Sequence, residues 1–367
     1  MKFNCLREVL LENLSIVLKA VSPKAAVAQL EGVYLHASSG MLTLIGNNTE
    51  IAIKARMEAD IMEEGVGVLN AKTFFDMVRL MPEGLVTVEI MENLNTVIKS
   101  GSTKYEIVAM EAEPFPVVED MNCEFSVKIK ENKLKELIKK TLFSIGTQDT
   151  KITFTGALFE VKDNELTVVT LDGYRMAVRK EEIDPTGENR SFIIPGKSLN
   201  ELLKILTDSQ EETVIEFGHK KALVKIENYE FYTRLIDGEF FNYQQIIPKN
   251  AEIKVKVVTR DLVDALERAS LLITADNKAP IRMTMTANQM KLNTVSRIGQ
   301  AQDEISIEKD GADLEIGFNH KFVLDALKAS ETEEIMMDFS NHLSPCILRG
   351  TDRNDFIYMV LPVRLKD

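Results

Sequence analysis

Tryptophan is absent from the 367 residues, and cysteine and histidine are scarce at three and four. Cys5, Cys123 and Cys346 are isolated and odd in number. They fit neither a disulfide framework nor a paired-cysteine metal site, and small buried thiols in a reducing compartment are expected. Among His36, His219, His320 and His342 there is no i, i+4 pair and no HExxH arrangement, so no metal is expected. A GxxxxGK[ST] phosphate loop is missing, and the GVGVLN stretch (65–70) has Asn70 where a third glycine would stand, so it reads as a structural turn. No GxSxG-like elbow presents a nucleophile, and the glutamate pairs at 63–64, 181–182 and 211–212 sit in polar stretches that read as solvated surface. The expectation is a protein without catalytic residues and without a cofactor. Apolar runs fall far short of a membrane span, and Glu8 and Glu12 interrupt the start where a signal peptide needs an apolar core. A soluble, unexported, cytoplasmic chain with no membrane partner is therefore expected.

What the chain does contain is ample core material, 45% hydrophobic against 28% charged, over a length that suggests two to three domains. The formal net charge is −13, which repels DNA, RNA and anionic lipid at long range. Bulk charge therefore excludes a passive nucleic-acid binder.

The chain repeats itself. KFNCLREVLLENLSIVLKAVS (2–22), EFSVKIKENKLKELIKKTLFSIG (124–146) and EIKVKVVTRDLVDALERASLLIT (252–274) share one grammar, an alternating strand followed by a helix with a leucine stripe. Leu10, Leu134 and Leu262 mark equivalent places, 124 and 128 residues apart. A second helix repeats in the same register at 70–81, 195–206 and 318–329, with Lys72, Lys197 and Lys321 equivalent. Paired strand-like runs follow each one, at 86–100, 213–227 and 334–349. Turn signals such as GNN after MLTLI and LDG after ELTVVT join further alternating runs. The pattern predicts an α+β protein of three tandem domains, each with two helices and antiparallel sheets. Pro-bearing seams place their boundaries at 1–121, 122–249 and 250–367.

Charge is not evenly spread over this pattern. The six repeated helices together carry +5 in a chain of −13, with the densest cluster at Lys133, Lys135, Lys139 and Lys140. Lysine is common on any exposed helix face, so an ordinary solvated surface competes with a functional one. The functional reading is a helical surface facing a polyanion, in weak, sequence-blind, salt-sensitive contact.

The triplicated unit, LDGYRMA (171–177), GEFFNYQQIIPKN (238–250), IGFNHKFVLDAL (316–327) and MVLPVRL (359–365) together resemble the beta subunit of bacterial DNA polymerase III, the sliding clamps. The resemblance spans essentially the full chain. It implies a non-enzymatic ring, a head-to-tail homodimer of three-domain protomers, with helices lining the hole and sheets outside. Such a ring encircles duplex DNA independently of sequence and holds it by topology, which removes the difficulty of the negative charge. It tethers the polymerase III catalytic subunit for processive replication, and also serves the clamp loader, other polymerases and repair proteins.

The resemblance also implies a peptide pocket between the second and third domains. It would be lined by Phe154, Leu171, Gly173, Tyr174, Arg175, Met176, Phe241, Gln245, Ile246, Asn319, Phe322, Leu343 and Pro345. Met359, Val360, Leu361, Pro362, Val363, Arg364 and Leu365 would complete it, although Val360 also reads as core of a terminal strand. Leu171, Tyr174 and Gln245 depart from the usual family residues and imply an altered peptide preference. By the same resemblance Lys24, Lys72, Arg79, Gln148, Lys151, Lys197 and Lys278 would touch DNA, and Tyr105 and Ile107 of one protomer would meet Leu271 and Leu272 of the other. Two other readings stay open from the residues alone: a scaffold of this architecture that does not encircle DNA, and an enzyme with a scattered site.

Overall fold

A computed structural model describes residues 1–25, 27–118, 120–147, 151–248, 250–274 and 279–365. Each repeat supplies two helices: α1 (Arg7–Val17) and α2 (Ala71–Leu80), α3 (Glu131–Lys139) and α4 (Gly196–Leu203), α5 (Thr259–Ala269) and α6 (His320–Ser330). The leucine stripe explains why they form where they do. Leu10, Leu14 and Val17 recur on one face of α1 and are fully buried, and Leu262, Leu266 and Ala269 do the same on α5. The second helices of the outer repeats start on an asparagine cap: Asn70 Oδ1 accepts from the Thr73 N–H at 3.0 Å, and Asn319 Oδ1 from the Lys321 N–H at 3.1 Å.

The chain packs into two compact units, residues 1–132 with 197–235, and residues 133–196 with 236–367. The first unit holds two antiparallel sheets. One has the strand order Asp60–Glu63, Lys2–Leu6, Leu85–Ile90, Asn95–Ser100, Thr103–Val108. The other runs Phe125–Lys130, Glu212–Phe217, Lys221–Ile226, Tyr229–Arg234, Ile51–Glu58, Met41–Asn47, Gly32–Ser38, Gly65–Asn70.

The second unit also has two. Its larger sheet runs Arg190–Pro195, Gly156–Lys162, Glu165–Leu171, Arg175–Glu182, Phe356–Val360, Cys346–Gly350, Glu334–Phe339, Ile253–Val258, Glu308–Asp310. Its smaller sheet runs Gly299–Ser306, Gln289–Ser296, Ile281–Thr286, Leu314–Phe318.

The three repeats are therefore α+β as expected, but the compact units cut across the middle one. The cause is strand pairing. The last strand of the second repeat, Tyr229–Arg234, pairs antiparallel with Ile51–Glu58 of the first. The last strand of the third, Phe356–Val360, pairs with Arg175–Glu182 of the second. Sheets thus run unbroken from one repeat into the next, which closes the edges of four strands that would otherwise stand open.

Cys5 and Cys346 are buried free thiols, as expected, and burial raises both pKa values. Cys123 corrects the expectation, because it is exposed. It lies just before the Phe125–Lys130 strand, in the exposed stretch 122–124.

Candidate peptide groove and charged helix faces

The turn Asp172–Gly173–Tyr174 organises one side of the expected pocket. Gly173 has φ +90°, a conformation that suits glycine. Asp172 Oδ1 accepts from the Tyr174 and Arg175 N–H groups at 2.9 and 3.0 Å. Asp172 Oδ2 accepts from Arg175 Nε at 3.0 Å, and Arg175 Nη1 reaches Asp325 Oδ2 on α6 at 2.5 Å. The guanidinium is thereby fixed over the Phe322 ring, 4.4 Å from its centroid, and 5.6 Å from that of Phe143. Tyr174, exposed, stacks on Phe322 with centroids 6.4 Å apart. The Asn319 cap starts the helix that presents Phe322, so a polar residue of the motif acts by aiming an aromatic one.

The groove floor comes from strand register. Leu171 lies opposite Met176, Met176 opposite Met359, and Met359 opposite Ile347, so one row of apolar side chains crosses four strands on one face. The same apolar cluster takes in Phe154, Phe240, Ile246 and Ile247. Phe154 meets Phe241 edge-on at 6.4 Å.

Val360 corrects the expected lining. One residue on from Met359, it faces the opposite side, fully buried among the helix-packed core with Phe318 and Tyr358. Two clefts adjoin the row, one of about 600 Å³ that includes Phe240, Phe241 and Tyr243, and one of about 570 Å³ that includes Ile247, Pro345 and Ile347. In the first, Tyr243 donates to Glu160 at 2.9 Å, and burial pushes its hydroxyl pKa up to about 12. Gln245 and Leu343 are exposed. The terminal segment returns over this region: the Leu361 N–H donates to the Tyr174 carbonyl at 2.8 Å, and the Val363 N–H to the Gly317 carbonyl at 2.8 Å.

Sequence reasoning missed Asp172, Asp325, Phe143 and Ile347. Asp172 carried a usable signal, an Asx residue opening a turn. The others act through cross-strand or helix contacts that no local pattern encodes.

The expected DNA-contacting residues Lys24, Lys72, Arg79, Lys151 and Lys197 are all exposed. Gln148 and Lys278 lie outside the described residues. Arg79 and Lys72 hold the Asp76 carboxyl below its usual range through ion pairs of 3.0 and 3.3 Å. Lys151 stands at the groove, with Nζ 4.9 Å from the Phe154 centroid and 5.5 Å from that of Phe241.

The dense lysine cluster on α3 is largely neutralised. Lys139 pairs with Glu331 at 3.1 Å, Lys133 with Glu181 at 3.3 Å, and Lys140, buried, with Glu331 at 2.8 Å and Glu136 at 3.3 Å. Its formal charge of +3 thus overstates what that helix offers a polyanion.

Among the described residues no cluster of three or more potential metal ligands occurs, and no helix is long and apolar enough to cross a membrane. Three helix-pair repeats, with antiparallel sheets that cross from the first repeat to the second and from the second to the third and an apolar groove at one seam, define a clamp.

Family models bear this out. The N-terminal, central and C-terminal domains of the DNA polymerase III beta subunit match residues 1–119, 128–242 and 244–364. The beta sliding clamp of Staphylococcus epidermidis is 30% identical, covering 99% of each chain. The sliding clamp of Bacillus subtilis superposes with a TM-score of 0.97 at 30% identity over 100% of both chains. That of Pseudomonas aeruginosa, solved bound to griselimycin, gives 0.95 at 27% over 100% of both. The chain belongs to the DNA polymerase III beta subunit family. It is a DNA sliding clamp of replication, a non-catalytic processivity factor whose partners are DNA and the polymerase.

Proposed function

We propose that two copies close head to tail into a ring around duplex DNA, each contributing the domains 1–121, 122–249 and 250–367. The observation that carries this reading is the shared register of the two internal seams. Phe231 lies opposite Ile53 in one, and Tyr358 opposite Ala177 in the other. Ile53, Ala177 and Ala301 recur at the repeat spacing of 124, and Phe231 and Tyr358 correspond to Tyr105 of the first repeat. The third pair of strands, Thr103–Val108 and Gly299–Ser306, is unpaired at the edges of two sheets. The common register sets Tyr105 opposite the partner's Ala301, Ile107 opposite the partner's Gly299, and Thr103 opposite the partner's Asp303. Face parity agrees, because Tyr105, Ile107, Ala301 and Asp303 are the half-buried members of their alternating strands. Leu272 Cδ1 lies 3.7 Å from where a Cβ on Gly299 would stand, so the partner's Leu272 would cover Ile107, with Leu271, 78% exposed, beside it.

Within the ring, Lys24, Lys72, Arg79, Lys151 and Lys197 meet phosphates, together with Gln148 and Lys278. The groove takes linear peptides of the polymerase III catalytic subunit, the clamp loader, other polymerases and repair proteins, through aliphatic and aromatic anchors. Leu171 and Tyr174 make it more apolar than is usual in the family and shift its peptide preference. The place of action is the cytoplasm.

Topological retention tests the ring. The protein is loaded onto nicked circular DNA by its clamp loader and ATP, freed of unbound protein, and the circle is cut once. Release on cutting, with retention on the intact circle, is expected; equal retention on circle and line would overturn encirclement.

A further inference from the structure

Gly317 stands in the Leu314–Phe318 strand, at the edge of the smaller sheet of the second unit. Its backbone is outside the left-handed region, so conformation does not require glycine there. Space does. A Cβ at Gly317 would lie 2.6 Å from Leu365 Cδ2 and 2.8 Å from the Val363 carbonyl oxygen, and the second of these is backbone. On the same residue the Gly317 carbonyl accepts the Val363 N–H at 2.8 Å. The C-terminal segment thus lies along the open edge of this strand, flush against it, as an added strand would. Its other tie is the Leu361 N–H on the Tyr174 carbonyl, at the turn whose ring stacks on Phe322.

We propose that Gly317 is a positioning residue for partner binding: its missing side chain seats the segment Leu361–Leu365, which holds Tyr174 and walls the peptide groove. The proposal rests on the groove reading above. It also gives a joint physical account of two distant motifs. In GFN (317–319), Gly317 admits the tail, Phe318 fills the core, and Asn319 caps the helix that presents Phe322. In MVLPVRL, the residues after Val360 are the strap.

The test uses the full-length chain, Gly317→Val, Leu365→Ala, and both a chain ending at Pro362 and that chain with Gly317→Val. Two readouts are taken: amide exchange at Val363, and affinity for a fluorescein-labelled hexapeptide with one leucine and one phenylalanine among polar residues. Gly317→Val and Leu365→Ala should each speed exchange at Val363 and weaken the peptide about ten-fold, about 1.4 kcal/mol. In the shortened chain Gly317→Val should add nothing, because the group it acts through is gone. Leu365→Ala leaves the strand untouched and keeps the test valid if Gly317→Val folds poorly.

Unchanged protection at Val363 in Gly317→Val, unchanged peptide affinity, or a loss that persists in the shortened chain would overturn the proposal. If the unaltered chain binds no hexapeptide while Val363 is protected, the groove reading falls, and the binding role of Gly317 falls with it.

Discussion

Phe322 is in contact with both the Tyr174 ring and the Arg175 guanidinium, and that guanidinium is in turn fixed by Asp172 and Asp325. Phe322→Asp would put a carboxylate among those two acids and remove the apolar anchor surface. Peptide binding should be lost, on the order of several kcal/mol, while the dimer mass is unchanged; retained affinity in a titration would show that the groove lies elsewhere. His320, at the start of the same helix, is depressed below its ordinary 6.5 by burial and then by Lys321, with Asp325 opposing. Its neutral form is favoured in the folded chain, so its contribution is present above pH 6.5 and is lost as pH falls through the lower, folded value. Urea unfolding at about pH 7.5 and about pH 5 should show that loss, and His320→Gln should reduce the difference.

The seams between repeats are where strands decide more than side chains. Arg179, 3% exposed, donates to Tyr358 Oη at 3.1 Å, to Asp355 Oδ2 at 3.0 Å and to the carbonyls of Ala329 and Ser330. Burial pushes the Tyr358 hydroxyl up to about 12, so it stays neutral and available as the Arg179 acceptor. Arg179→Leu would leave Tyr358 Oη and the Ala329 and Ser330 carbonyls without the arginine's donors, while Asp355 keeps Arg353 at 2.6 Å, and a loss of about 1–3 kcal/mol in denaturant unfolding is expected. At the proposed seam between two copies the register makes a sharper claim. Cysteines replacing Tyr105 and Ala301 should crosslink two copies on oxidation, since directly opposite Cβ atoms lie about 4.5–5.5 Å apart. Tyr105→Cys paired with Gln302→Cys, on the opposite face, should crosslink far less. The reverse ranking would show a one-residue slip.

For the assembled molecule, topology and charge separate two kinds of hold on DNA. Lys72, Arg79 and Lys197 are exposed helix residues in a chain of −13, and Lys72 and Arg79 share the single carboxylate of Asp76, so the three keep net positive charge to offer phosphates. Replacing all three with alanine should flatten the salt dependence of contact-based binding to open DNA, by up to about 0.9 in slope for each phosphate left without its cation. Retention on a closed circle should barely change, because a ring holds by linkage. A variant that falls off closed circles at moderate salt would mean that the lysines, not closure, carry the hold.

Hydrophobic periodicity and the recurrence of Leu10, Leu134 and Leu262 were enough to count three α+β repeats and place the six α-helices of the described residues, since local burial patterns are written in local order. The same one-dimensional reading took Val360 as pocket and core at once, and counted Lys140 as free charge; the first faces away by strand alternation, and the second is buried on Glu331 and Glu136. It gave no hint that Leu171, Met176, Met359 and Ile347 form one row, or that Gly317 seats Val363 and Leu365. Those contacts join residues far apart in the chain, and sequence spacing carries no information about which strand becomes whose neighbour. Composition and repeat set the class of protein, and strand pairing across the seams decided where its groove lies.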